Sequence, residues 1–222
     1  MELLFKILIY IHALTGGIGL ISGIASIFVK KGSRLHTRSG KIFSWSMITS
    51  SVVSLVVARL PGHENGFLFL IGLFTIYLVL AGNRALTFRG GIKPQADNID
   101  KTISGTMLVL SVIMLLLGTY MLITHAGGNA VLFVFFGGFG LFMTIKDFRT
   151  FRVYKIQRNA WLSSHIGRMV AALTASVTAF LIAGLHFHTL ITWILPSIIG
   201  TFYITYWNTR IKGRPSPSLA NS

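Results

Sequence analysis

Residues Ile103 to Thr124 read ISGTMLVLSVIMLLLGTYMLIT. The stretch carries no charge and, as a helix, is long enough to cross a hydrocarbon core of roughly 30 Å. A half-buried strand or an amphipathic surface helix of that length would carry a charged or strongly polar face. This one does not, so it is predicted to be a transmembrane helix. Six further apolar runs lie near residues 5–29, 42–60, 67–88, 130–148, 161–185 and 188–207. The second is the most dilute, with Ser44, Ser46, Thr49, Ser50, Ser51 and Ser54. Hydroxyls can bond back to their own helix's carbonyls, which makes them tolerable in lipid.

Composition agrees with this reading. Of 222 residues 53% are hydrophobic and 11% charged, against about a quarter charged in soluble domains. Such a chain cannot cover its surface with water-compatible groups. Charge is lopsided as well, with 20 Lys and Arg against 5 Asp and Glu. In a soluble protein that balance would suggest nucleic acid. Here the basic residues cluster between apolar runs, which argues for membrane topology instead.

Orientation follows from those clusters. Lys30, Lys31, Arg34, Arg38 and Lys41 separate the first two runs, and Arg84, Arg89, Lys93 and Lys101 separate the third and fourth. Lys146, Arg149, Arg152, Lys155 and Arg158 follow the fifth, and Arg210, Lys212 and Arg214 the seventh. With seven spans all 17 fall on one side, while the other holds Lys6 and Arg59, and Arg168 lies within the sixth span. Basic loops are retained in the cytoplasm. The expected architecture is therefore an all-α, polytopic bundle of seven transmembrane helices, N-terminus outside and C-terminus cytoplasmic. Residues 1–209 form one membrane domain, and 210–222 a polar tail expected to be disordered. The first run is expected to stay as a span rather than be cleaved as a signal peptide.

Several chemistries are excluded or disfavoured. Without cysteine there is no disulfide, thiolate metal site or iron–sulfur cluster. The seventh run has no lysine for a retinal Schiff base, and neither G-x-S-x-G nor H-E-x-x-H occurs. Glu2 and Glu64 are expected outside, and Asp97, Asp100 and Asp147 in cytoplasmic loops, which leaves no carboxylate within a span. That expectation weighs against proton-coupled transport and carboxylate-dependent hydrolysis.

Histidine remains. His36 and His165 are expected at the cytoplasmic boundary, and His12, His63, His125, His186 and His188 towards the outside. Paired neutral imidazoles can ligate haem iron. His165, Ala172, Ala179 and His186 recur every seven residues, nearly one helical face, with Arg168 one turn from His165 and able to meet a haem propionate. In the first run His12, Gly16, Gly19, Gly23 and Ser26 form a small-residue stripe that a neighbouring helix or a flat macrocycle could approach. Gly19 and Gly23 could equally mark a homo-oligomer contact. His36 with His165 is the better-matched pair in depth. His12 should sit roughly 9 Å below the surface that His186 occupies, counted at 1.5 Å per residue. On the outer side His63, His125, His186 and His188 could converge on zinc or copper. The competing reading of every one of these features is structural: packing seams, interfacial histidines and a snorkelling arginine.

Four segments resemble a family of bacterial membrane proteins that carries no assigned activity. They are His12-Ala-Leu-Thr-Gly16, then Lys31-Gly32-Ser33-Arg34-Leu35-His36 followed by Gly40-Lys41. The third is Ser164-His165-Ile-Gly-Arg168-Met169 running into Thr178-Ala-Phe180, and the fourth Leu195-Pro196-Ser-Ile-Ile-Gly200-Thr201. The resemblance implies a bacterial inner-membrane setting and singles out His12, His36 and His165; it supplies no cofactor. Three functions are thus expected candidates. The foremost is a b-type haem electron carrier on His36 and His165, with His12 and His186 as an outer pair. Next is a small-solute or metal-ion transporter lined by the serine face of the second helix, the glycine stripe of the first and Arg168. The third is a metal-binding membrane enzyme using the outer histidines.

Overall fold

In the computed structural model, which describes residues 2–91, 93–125, 130–153, 159–187 and 189–212, every regular element is helical. The helices are α1 (Glu2–Phe28), α2 (Arg34–Val57), α3 (Gly66–Ala85), α4 (Asn98–Ile123), α5 (Ala130–Val153), α6 (Ala160–Ala179) and α7 (Leu190–Lys212). A 3-10 turn over Leu86–Gly91 follows α3, and a π-helical turn over Phe180–Gly184 prolongs α6. Six of these stretches are long and apolar enough to cross a membrane: α1, α2, Leu68–Arg89, α4, α5 and Ala160–Gly184. That is the make-up of a multi-pass membrane protein. α7 is of similar length and contains Pro196.

The starts of α2, α3 and α4 are set by caps rather than by hydropathy. Ser33 accepts from the His36 N–H, so α2 begins eight residues before the apolar run expected at 42. Asp97 and Asp100 form a reciprocal capping box at the head of α4, and Asn65 caps α3. At the end of α1, where carbonyls run out of intrahelical donors, Lys31 Nζ donates to the carbonyls of Ser26 and Ile27, at 2.7 and 2.5 Å.

Neighbouring helices run antiparallel. Contacts pair Ser26 with Ser39 and His12 with Ser50 across α1 and α2, and Ser44 with Asn83 across α2 and α3. Gly82 meets His165 across α3 and α6, and Ser163 meets Asn208 across α6 and α7. The described basic residues that flank the α1–α2 and α3–α4 connections, the end of α5 and the end of α7 therefore lie at one end of the bundle, here termed the basic end. α1 packs on α2, α2 on α3, α3 on α6 and α6 back on α1, which closes a four-helix ring. α2 and α6 stand diagonally in it, joined across the interior where Ser176 Oγ donates to Met47 Sδ at 3.0 Å. The α4–α5 hairpin leans on α3, and α7 on α6. α3 is the most enclosed helix, burying Leu70, Ile71, Phe74, Tyr77, Leu78 and Val79.

The seams are lined with small residues, which lets backbones come close where lipid gives no hydrophobic drive to helix association. α4 buries Ser104, Met107, Ser111, Met114 and Gly118 at alternating spacings of three and four, and α5 answers with Phe136, Gly137, Gly140, Met143, Thr144 and Asp147. The α1 stripe is a seam too. Added Cβ atoms at Gly16, Gly19 and Gly23 would meet Ser50, Met47 and Phe43 of α2. Gly19 and Gly23 thus make an internal contact, and the stripe receives a helix. The serines of α2 point into the same seams: Ser44, Ser50, Ser51 and Ser54 are buried. Ser50 bonds to the His12 carbonyl and Ser54 to that of Ser51.

Two expectations need correction here. Asp147 was expected in a loop, but α5 continues to Val153 and carries Asp147 into the buried interior at 6% exposure. Lys146 and Arg149 beside it suggest a loop in one dimension; on the helix Lys146 and Arg149 are exposed and Asp147 turns inward. The seven-residue series from His165 to His186 is broken as well. The π turn, closed by Leu185 N–H to Phe180 O, takes up an extra residue, and His186 lies beyond the helix with φ 57°.

Candidate functional site

The basic end gathers the polar side chains of the ring. His165 reaches from the second turn of α6 to α3, with Nδ1 2.9 Å from the Gly82 carbonyl. His36, in the capped first turn of α2, places Nδ1 3.2 Å from the Ser26 carbonyl of α1. A carbonyl only accepts, so in each ring Nδ1 carries the hydrogen, and the Nε2 of the neutral imidazole keeps its lone pair. Metal-ligating histidines are usually oriented this way, by a second hydrogen bond from the other nitrogen. The two half-buried rings belong to diagonal helices and are close enough for a charge on one to act on the other. Gly40, one turn beyond His36, has open space where a Cβ would stand.

The other expected ligands are placed differently. His12 directs Nδ1 to the carbonyl and hydroxyl of Ser50, at 2.9 and 3.0 Å, inside the α1–α2 seam. His186 is exposed in the turn before α7. His63 stacks on Phe5, centroids 3.6 Å apart, and pairs with Glu2 at 3.3 Å. His125 is exposed just after α4 with φ 53°, and His188 lies outside the described residues. Among the described residues no three His, Asp or Glu side chains come together as a metal-binding group.

Arg168 has a partner that the sequence reading did not supply. It crosses from α6 to α5, two helices with little backbone contact, and forms a buried salt bridge with Asp147. Its Nη2 also donates to the Met143 carbonyl at 2.8 Å, and Nη1 touches Met143 Sδ. Asp147 Oδ1 takes the arginine, while Oδ2 accepts from Tyr77 of α3 at 2.5 Å and Ser104 of α4 at 2.9 Å. Four helices thus share one carboxylate, with the guanidinium 5.6 Å from the Tyr77 ring. The signal was present in the chain: Gly140 and Asp147 are seven apart, on the face that Met143 and Thr144 also occupy, and Ser104, Met107 and Ser111 complement it on α4.

Nearer the surface, Arg84 bonds Asp100 and Asp97 at 2.7 and 2.6 Å, and Lys93 bonds both carboxylates. Arg84 is therefore an ion-pair residue rather than a snorkelling one. Between this cluster and Asp147 lies a cavity of about 10 Å³, bordered by Arg84, Asp100, Ser104, Asp147 and Ser164. That is about the room needed for one water. Lys93 and the Asp100 N–H hold the exposed Asp97 carboxyl well below the usual carboxylate range. Its folded value lies under its unfolded one, so its contribution is complete above about pH 4 and disappears as pH falls towards the folded value. Amide exchange at Asp100 and Lys101, corrected for intrinsic rates, should accelerate on acidification below about pH 4. In Asp97→Ala it should be fast already at neutral pH; equal protection in the variant would remove the cap from the account.

Comparison with known protein families, curated proteins and solved structures finds no match, so the meaning of the site rests on its own residues.

Proposed function

We propose that the chain is a bacterial inner-membrane protein, N-terminus outside and C-terminus in the cytoplasm, that carries electrons through a b-type haem ligated by His36 and His165. One observation carries this reading. Two histidines on diagonal helices of a four-helix ring, at the same end, each present Nε2 as a free donor with Nδ1 fixed to a main-chain carbonyl. Cofactor sites in helical bundles are built from side chains that face one another across the core in this way. The haem would supply one-electron redox chemistry. The protein's part is to fix both imidazole orientations and to exclude water: Phe43 and Met47 close the ring interior beneath the histidines. Arg168, one turn from His165, is paired with Asp147, and no propionate partner is assigned. Orientation is supported by the concentration of basic residues at one end, and the inner-membrane setting by the family resemblance.

An optical spectrum of the full chain, purified in detergent after expression with added haem precursor, tests the reading. A Soret band and a reduced alpha band are expected. His36→Ala and His165→Ala should each abolish them, and His12→Ala should leave them in place. A colourless protein, or a Soret band indifferent to both His36→Ala and His165→Ala, overturns the assignment.

A further inference from the structure

The Asp147 network is independent of the histidines and asks for its own explanation. Removing two opposite charges from water is expensive, and an apolar pair of similar volume would often hold helices together as well or better. Ionisable groups at such positions in membrane proteins commonly mark the route of an ion or proton. Asp147 is also unevenly bonded. Oδ2 receives two neutral hydroxyls, from Tyr77 and Ser104, while Oδ1 is held by Arg168. The water-sized cavity opens from this carboxylate towards Asp100 and Arg84, whose ion-pair partners Asp97 and Lys93 reach the surface of the basic end.

We propose that Asp147 is a proton-exchanging carboxylate, reached from the basic end through that cavity, and that taking up a proton releases it from Arg168. The proton comes from bulk water, passes by way of a water between Asp100 and Asp147, and binds Oδ1. The O–H bond formed there displaces the hydrogen bond that Arg168 donates to Oδ1, and no proton leaves the guanidinium. The hydroxyls of Tyr77 and Ser104 go on donating to Oδ2, and the still-charged guanidinium keeps the Met143 carbonyl. The site gains one positive charge. The groups that face it and bias the exchange are Tyr77 and Arg84 of α3, Asp100 of α4, Lys146 of α5 and Arg168 of α6. Ser164, also of α6, borders the path without titrating. The arrangement gives the protein a proton-linked switch in a buried ion pair between α5 and α6, two helices with little backbone contact, whatever the histidines bind.

Infrared difference spectroscopy on the full chain in lipid nanodiscs, perfused between neutral and acidic buffer, reads this directly. Acidification should raise a carbonyl-stretch band of a protonated carboxylic acid. Glu2, Glu64, Asp97 and Asp100 contribute to the same region, so the assignment rests on variants. Asp147→Glu, which keeps an ionisable carboxylate, should displace one component, and Asp147→Asn should lose it. Ser164→Val, which fills the cavity, should slow the deuterium shift of that component. Superimposable spectra for wild type and Asp147→Glu overturn the proton site, and an unchanged deuterium shift in Ser164→Val overturns the route.

Discussion

Arg168→Ala is expected to destabilise the protein by about 3–5 kcal/mol, because it strands a charged carboxylate inside a helical bundle. Asp147→Ala should do the same from the other side. The double variant should lose distinctly less than the sum, since no uncompensated charge is left behind. Thermal unfolding of the four proteins in one detergent gives the cycle. Strict additivity would mean that Asp147 and Arg168 do not act as a pair. Arg168→Lys should not restore wild-type stability, because an ammonium cannot reach Asp147 and the Met143 carbonyl together with the geometry of a planar fork. The size of the effect reflects where the pair sits. α5 and α6 share little backbone contact, so Arg168 ties the α4–α5 hairpin to α6, in addition to the hairpin's packing on α3.

Gly137→Val should be damaging for a different reason. A Cβ at Gly137 would stand 2.9 Å from the Leu115 backbone nitrogen and 3.0 Å from the Ser111 carbonyl oxygen. Main-chain atoms inside a helix cannot move aside, so α4 and α5 must separate, at a cost of about 1–3 kcal/mol before the lost contacts along the seam are added. Gly138 supplies the control, since its Cβ would meet nothing within 4 Å. Gly138→Val should lower the unfolding midpoint far less than Gly137→Val in the same detergent. Equal losses at the two positions would show that the seam lies elsewhere.

The position of most helices could be read from hydropathy because lipid imposes a long apolar requirement, which six of the helical stretches meet. What hydropathy does not see is where a helix continues beyond the apolar part. α2 starts at Arg34 because Ser33 caps it, and α5 runs through Lys146, Arg149 and Arg152 because the helix has no reason to stop there. That extension moved Asp147 from loop to core. The histidines were legible as residues but not as environments. His36 and His165 each gain a carbonyl partner from a neighbouring helix, Ser26 of α1 and Gly82 of α3, 10 and 83 positions away in the chain. Even spacing linked His165 to His186, and a single π turn was enough to undo it.

The order of the ring has a consequence for how the protein is made. Its four helices are not consecutive: the α4–α5 hairpin interrupts them in the chain, although it stands outside them in space. Synthesis delivers the N-terminal segments first, so α3 enters the bilayer well before α6, its main partner. Asp147 likewise precedes its cation by 21 residues. Until α6 arrives, the nascent chain holds an open three-helix sheaf and a hairpin with an unneutralised acid near its end. A chain that stalls in that interval exposes both to any protease or chaperone that surveys the membrane, whereas the finished chain exposes neither. The docking of α6 therefore closes the ring and neutralises the acid in one step.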